Sequence, residues 1–161
     1  MPVEVRPYRA SDEKVLVALS LRAWEPVFAS MAETMGQEIF LRQYPDWRLC
    51  QRQAVEAVLR NQAMRVSVAV LEEDLVVGFV AAVLHVERAI GEIWMLAVDP
   101  QHQKCGIGTA LTATADEWFV TAGMALAMAE TGGDPGHAPA RHTYEKAGYT
   151  MMPIARYFKA L

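Results

Sequence analysis

The sequence predicts an α/β fold, in which a mixed β-sheet of about seven strands carries helices on both faces. Three observations predict it. The 161 residues suit one domain over 1–161, and 53% of them are hydrophobic, enough to fill one core. β-branched runs cluster in the middle of the chain, with helical spacing before and after them. The glycines and prolines divide the chain into the order β, α, α, β, β, β, α, β, α, β, β.

Val3–Tyr8 alternates and reads as the opening strand. Ser11 reads as an N-cap, with Asp12 and Glu13 at the positive end of a helix running to about Trp24, where Pro26 interrupts it. Phe28–Tyr44 has no clear period. Asp46 starts the next helix, with Trp47, Cys50, Ala54 and Val58 on one face. Val66–Leu71 and Leu75–Leu84 form a hairpin around Glu72-Glu73-Asp74, and Glu92–Val98 is the strand that Asp99-Pro100 closes. Ile107, Leu111, Thr114 and Trp118 mark the inner face of a helix ending before Gly123, and Met124–Ala129 is a short strand. Pro139 and Gly148 bracket one more helix. Tyr149–Met152 and Ala155–Ala160 read as closing strands on either side of Pro153.

Several function classes fall away. Residues 1–65 carry a net +1 and residues 66–161 a net −5, so no basic stripe offers itself to a nucleic acid. The acidic second half favours a cationic substrate. No run reaches the ~18 apolar residues of a membrane span, and the start lacks the apolar stretch of a signal peptide, so a cytoplasmic protein without a membrane partner is expected. Cys50 and Cys105 suit a reducing compartment. No Gly-x-Ser-x-Gly elbow is present, and His137 and His142 have no third ligand to make a metal site, so no metal is expected.

The turn Gln103-Lys104-Cys105-Gly106-Ile107-Gly108-Thr109 lies between a strand and a helix. Its glycines let the backbone approach a ligand, and the helix's first N–H groups suit a pyrophosphate. A dinucleotide fingerprint would need a third glycine at Leu111, and no Gly-Lys-Ser/Thr is present.

Gln103-x-x-Gly106-x-Gly108, after Leu96-Ala97-Val98-Asp99-Pro100, resembles the acyl-CoA signature of the GNAT superfamily of N-acetyltransferases. Ala140-Arg141-His142-Thr143-Tyr144-Glu145-Lys146-Ala147-Gly148-Tyr149 resembles that family's late helix. The likeness runs from Val66 to Tyr149, with residues 1–65 agreeing in element order. His137 stands where the family often has Asn, and Thr143 replaces a common leucine.

The resemblance implies acetyl-CoA as cosubstrate and a splayed central sheet. The strand before the turn would be bulged, with main-chain groups of Leu96, Ala97 and Val98 binding the pantetheine arm, assisted at its late contacts by His137. The amides of Gln103, Lys104, Cys105, Gly106, Ile107, Gly108 and Thr109 would hold the pyrophosphate. Tyr144 would sit beside the thioester sulfur. Its pKa of ~10 lies close enough to the ~8.5 of a thiol for it to act as the acid.

Glu92, eleven residues before Gln103, matches where histone-acetylating members place a basic glutamate. Alternation puts Glu92, Trp94, Leu96 and Val98 on one face unless a bulge shifts it. Glu130 is the alternative base or an amine anchor. Trp24 and Phe28 fall where that family's first helices wall the acceptor pocket. The expected partner is an amine-bearing small molecule or peptide, and the C-terminal strand could pair across a homodimer. A non-catalytic acyl-CoA-binding regulatory module is the alternative, which would need neither Tyr144 nor a base.

Overall fold

A computed structural model describes residues 2–161. Strand β1 (Glu4–Pro7) enters the sheet, and a short turn leads into α1 (Glu13–Met35), α2 (Gln37–Gln43) and α3 (Trp47–Arg60). There follow β2 (Arg65–Leu71), β3 (Leu75–His85), β4 (Ile90–Val98), α4 (Ile107–Thr121), β5 (Leu126–Ala129) and α5 (Ala138–Lys146). The sheet runs β1-β2-β3-β4-β5, antiparallel as far as β4, and β5 joins β4 in parallel after the α4 crossover.

Both faces of the sheet are covered. Ile107, Leu111, Ala115 and Phe119 of α4 pack with Ala69, Val77, Val80, Ala82 and Ile93. On the other face, Leu16, Leu19 and Val55 from α1 and α3 meet Val68, Val70, Phe79 and Ala97. The α4 layer lies so close that a Cβ at Gly91 would come within 2.1 Å of the Phe119 ring. A third cluster of Phe28, Ala32 and Phe40 lies within the helical layer, where Phe28 stacks on Trp47 at 4.8 Å.

The sheet has five strands among the described residues, not seven. Tyr149 N–H caps α5 on the Tyr144 carbonyl at 3.0 Å, and the chain beyond it, through Met152 and Ala155–Ala160, belongs to no strand. β-propensity expresses cross-strand packing, and these residues lie exposed with no partner strand beside them. Pro26 does not end the first helix either. It sits exposed within α1, whose Leu16 and Leu19 are buried before it and Phe28 and Ala32 after it. Packing on both sides outweighs the missing N–H.

Other differences are ones of phase. Asp12, not Ser11, stands at the N-cap position of α1, and its carboxylate accepts from Arg6 and the Arg9 N–H and not from the helix's own amides. The buried residues of α3 are Gln51, Val55 and Val58, which leaves Ala54 exposed. On α4 the deeply buried positions include Thr112 and Ala115, with Thr114 and Trp118 half-buried. By length and composition, the stretch Ala10–Met35 could cross a membrane, but its apolar face belongs to this core.

Candidate active site

β4 makes the site by losing its partner. It pairs with β5 over four residues, ending at Ile93 with Ala129, and from Trp94 to Val98 that edge carries no strand. A bulge falls at the same place, since Ala81 pairs with Met95 and Ala82 with Ile93, leaving Trp94 unpaired and 54% exposed. An unpaired edge presents main-chain N–H and C=O groups to a ligand. Leu96, Ala97 and Val98 lie on this stretch.

The bulge also changes which side chains share a face. Ile93, Leu96 and Val98 pack toward α4, whereas Met95 and Ala97 pack toward α1 and α3. Glu92, next to Ile93, falls on the α1 side with Met95 and Ala97. The alternation that put Glu92, Trp94, Leu96 and Val98 together is thus corrected at Trp94.

Glu92 is mostly buried and does not stand alone. Its Oε2 lies 2.6 Å from Nε2 of His85, at the far end of β3. A carboxylate only accepts, so the imidazole donates, which fixes the proton on Nε2. The free carboxylate oxygen remains for another donor.

The turn after β4 is built from its own side chains. Asp99 accepts from Gln101 N–H at 3.0 Å and pairs with Arg22 of α1. Burial alone would raise the Asp99 carboxyl, but the bonds from Arg22 and the Gln101 amide outweigh it and hold the carboxyl below its ordinary value. Gln103 Nε2 donates to the Val98 carbonyl at 3.3 Å.

Lys104 and Gly106 both take left-handed backbone, at φ 62° and 80°. Gly106 N-caps α4 with no side chain, and a Cβ there would meet nothing within 4 Å. The first helical bond runs from Ala110 N–H to the Gly106 carbonyl, so the N–H groups of Ile107, Gly108 and Thr109 have no intrahelical partner. Open space, free amides, the helix dipole and an exposed Lys104 suit a phosphate-bearing ligand. Gly108 plays a different part, because its Cβ would lie 3.5 Å from Thr143 Cγ2, where α5 packs on the start of α4.

α5 carries Tyr144 onto the same apolar cluster that holds Leu96 and Val98. Its ring lies 5.6 Å from that of Tyr149, whose hydroxyl donates to Asp116 Oδ1 at 2.6 Å. Burial pushes the Tyr144 hydroxyl up to about 12, so it stays protonated across the working range of pH. Tyr149 is raised as well, first by burial and then by Asp116.

His137 is fixed in the loop between β5 and α5. Its Nδ1 bonds Asp134, which also accepts from Ser30 Oγ of α1 at 2.6 Å. Burial opposes ionisation of Asp134, but Ser30 and His137 overcome it and lower its pKa. Arg141 Nη1 closes the loop on the carbonyls of Gly132 and Asp134, at 2.6 and 2.9 Å. Glu130, exposed, begins this loop one residue past the last β4–β5 pair, and Arg156 of the C-terminal segment reaches it at 3.4 Å.

Trp24 is half-buried, bridging the α1 core and the aromatic cluster. Phe28 is 6% exposed, and with Glu25, Ala29, Gln37 and Trp47 it borders a cavity of about 250 Å³ in the helical layer. The structure therefore brings Tyr144 together with Leu96 and Val98, and Glu92 with His85, but puts Phe28 in a separate cluster. Sequence reading missed His85, Ser30 and Arg141. Only Asp134, before Pro135-Gly136, carried a local signal, that of a turn.

The model of the family described as Acetyltransferase (GNAT) matches residues 28–149. No curated protein matches the sequence. Among solved structures, the fold is similar to the PaiA N-acetyltransferase of Thermoplasma acidophilum in complex with coenzyme A, with a TM-score of 0.70 at 16% identity, covering 96% of this chain and 94% of that one. It is also similar to AAC(6')-Iy bound to a bisubstrate analogue, CoA-S-monomethyl-acetylneamine, with a TM-score of 0.66 at 14% identity over 100% and 99% of the two chains. A ribosomal-protein-alanine N-acetyltransferase from Escherichia coli gives 0.66 at 14% identity, over 94% and 80%.

Proposed function

The chain belongs to the GNAT family of acetyltransferases, and from that premise we propose that it moves an acetyl group from acetyl-CoA to a primary amine of a small molecule or peptide. The observation that carries the reading is the unpaired edge of β4. It runs from Trp94 to Val98 and ends at the Gly106 turn, while Tyr144 packs on the same cluster as Leu96 and Val98. A coenzyme lying along that edge has its phosphates at the free amides of α4 and its thioester toward the bulge.

The coenzyme supplies an activated acyl carbon and a sulfur leaving group. Glu92 takes the proton of the incoming ammonium, directly or through a water, while His85 holds the carboxylate and shares the resulting change of charge. Tyr144 faces the sulfur as its acid. With its hydroxyl at about 12 against ~8.5 for a free thiol, complete transfer is uphill by about 5 kcal/mol even to the fully formed thiolate. Its help is therefore a hydrogen bond that strengthens as the C–S bond breaks and the sulfur gains charge, and any proton it passes on is replaced from solvent. His137, locked by Asp134, borders the pantetheine path, and Trp24 and Glu130 flank the acceptor side. The free thiols of Cys50 and Cys105 suit work in the cytoplasm.

Free-thiol release from acetyl-CoA, screened across classes of amine, tests the reading. Turnover with at least one class is expected, and Glu92→Gln should shift or flatten the acidic limb of kcat/KM. If Glu130→Gln moves that limb and Glu92→Gln does not, the base is Glu130. Coenzyme binding without turnover on any amine would instead make the chain an acyl-CoA-binding regulatory module.

A further inference from the structure

We infer that Tyr149 and Asp116 form a clasp that sets the position of Tyr144, so that two residues outside the reacting centre govern the rate of acetyl transfer. This rests on the acetyl-transfer reading and adds the positioning residues of its acid. Three observations carry it.

The first is how little else holds α5. The helix has nine residues, none of them fully buried, and residues 150–161 after it form no strand or helix to brace it. Its first half is tied down where Arg141 reaches the carbonyls of Gly132 and Asp134. Its other end depends on Tyr149.

The second is the geometry at that end. The Tyr149 N–H donates to the Tyr144 carbonyl at 3.0 Å, and the two rings lie 5.6 Å apart. The Tyr149 hydroxyl crosses to α4 and donates to Asp116 Oδ1 at 2.6 Å. A hydrogen bond to a carboxylate is shorter and stronger than one between neutral groups, so Asp116 anchors the ring against which Tyr144 packs. Burial, and then Asp116, raise the Tyr149 hydroxyl, which keeps the bonding proton in place in basic solution.

The third is that the Tyr144 hydroxyl has no anchor of its own. Burial is the sole cause that raises it, and no group among the described residues bonds it. Its place is therefore set by its ring, and its ring by Tyr149. Asp116 stands eight residues along α4 from Gly108, about 12 Å down one rigid helix. The same helix thus carries the free amides at its start and the clasp further on, and it fixes the distance between them. A small displacement of the acid costs rate and leaves binding alone.

Tyr149→Phe keeps the ring and removes the hydroxyl. Its kcat should fall by about 3–10-fold, with KM for acetyl-CoA within about twofold of wild type. Asp116→Leu should do the same, whereas Asp116→Asn, whose amide oxygen still accepts, should retain most of the wild-type kcat. In the Tyr144→Phe background, Tyr149→Phe should cost nothing further in kcat, because the clasp acts through that one hydroxyl. Full kcat in Tyr149→Phe, or a loss that persists in the Tyr144→Phe background, overturns the clasp. NMR of the protein with isotope-labelled tyrosine rings reads it without turnover. The Tyr144 signal, assigned by its absence in Tyr144→Phe, should be sharp in wild type and broadened or split in both Tyr149→Phe and Asp116→Leu. A signal that stays sharp and single in both variants overturns the clasp. A broadened or split signal in a protein that acetylates no amine leaves the clasp standing and overturns the acetyl-transfer reading.

Discussion

The two edges of the sheet are finished in opposite ways. At the β1 edge, Arg6 is 8% exposed and donates to both oxygens of Asp12, at 2.9 and 3.1 Å, and to Asp74 at 2.8 Å. Asp12 also accepts from Arg9 N–H, so one ion cluster closes the strand, the helix start and the β2–β3 turn. At the β5 edge, the strand has four residues, Leu126 is 63% exposed, and the chain after Tyr149 makes no strand at all. The closed edge holds the fold together, whereas the open one leaves β4 unpaired where a ligand can lie. Changes at the first should therefore cost stability, and changes around the second should cost activity.

The largest expected effect is at the open side. Tyr144→Phe should lower kcat by roughly 10²–10⁴-fold with the melting temperature and acetyl-CoA affinity near wild type, as read by steady-state kinetics, thermal melting and calorimetry. Because burial holds Tyr144 at about 12, wild-type kcat should show no basic limb from this group at any pH below about 11. A limb near the ordinary tyrosine value of ~10 would mean that the hydroxyl is solvated during turnover.

Asp12→Asn tests the closed edge. It leaves the Arg6 guanidinium buried with a lost charge partner, and urea denaturation should show a loss of about 3–4 kcal/mol, with kcat per folded molecule unchanged. Its pH signature has a definite sign. The hydrogen bonds from Arg6, against the opposing effect of burial, hold the Asp12 carboxyl below its ordinary value. Its contribution is therefore fully present above about pH 4 and is lost as pH falls through the folded-state value. The variant should lack that part of the acid-induced loss.

Gly106→Ala should have a smaller effect, about 1 kcal/mol of stability, since the left-handed backbone and not a clash opposes the new Cβ. Acetyl-CoA affinity should fall by up to about fivefold if the strain is relieved by reshaping the turn. Gly108→Ala, whose Cβ makes an ordinary contact with Thr143, should be the milder of the two in thermal melts. The smallest effect belongs to the C-terminal segment. Ile154→Ser and Tyr157→Ser, at 69% and 91% exposure, should each change unfolding free energy by less than about 0.5 kcal/mol. A larger loss would show that the β5 edge is covered in solution.

Local chemistry by itself determined a good deal of this protein. The β-branched run Val66–Leu71, the strand ending at Asp99-Pro100 and the glycine turn before α4 are short-range patterns whose backbone needs are met by the residues themselves. The α/β class and the place of Tyr144 on a late helix follow from them together with the family resemblance. What depended on distant neighbours was not legible. Pro26 reads as a break, yet α1 continues because both of its halves are buried. The closing segments read as strands but have no partner. The bulge at Trp94 exists only as a mismatch between two strands, and it sends Glu92 to the opposite face from Leu96 and Val98. The pairs of Glu92 with His85 and Ser30 with Asp134 join residues 7 and 104 positions apart. Periodicity records which side of its own element a residue occupies, while register and packing between elements decide what it meets there.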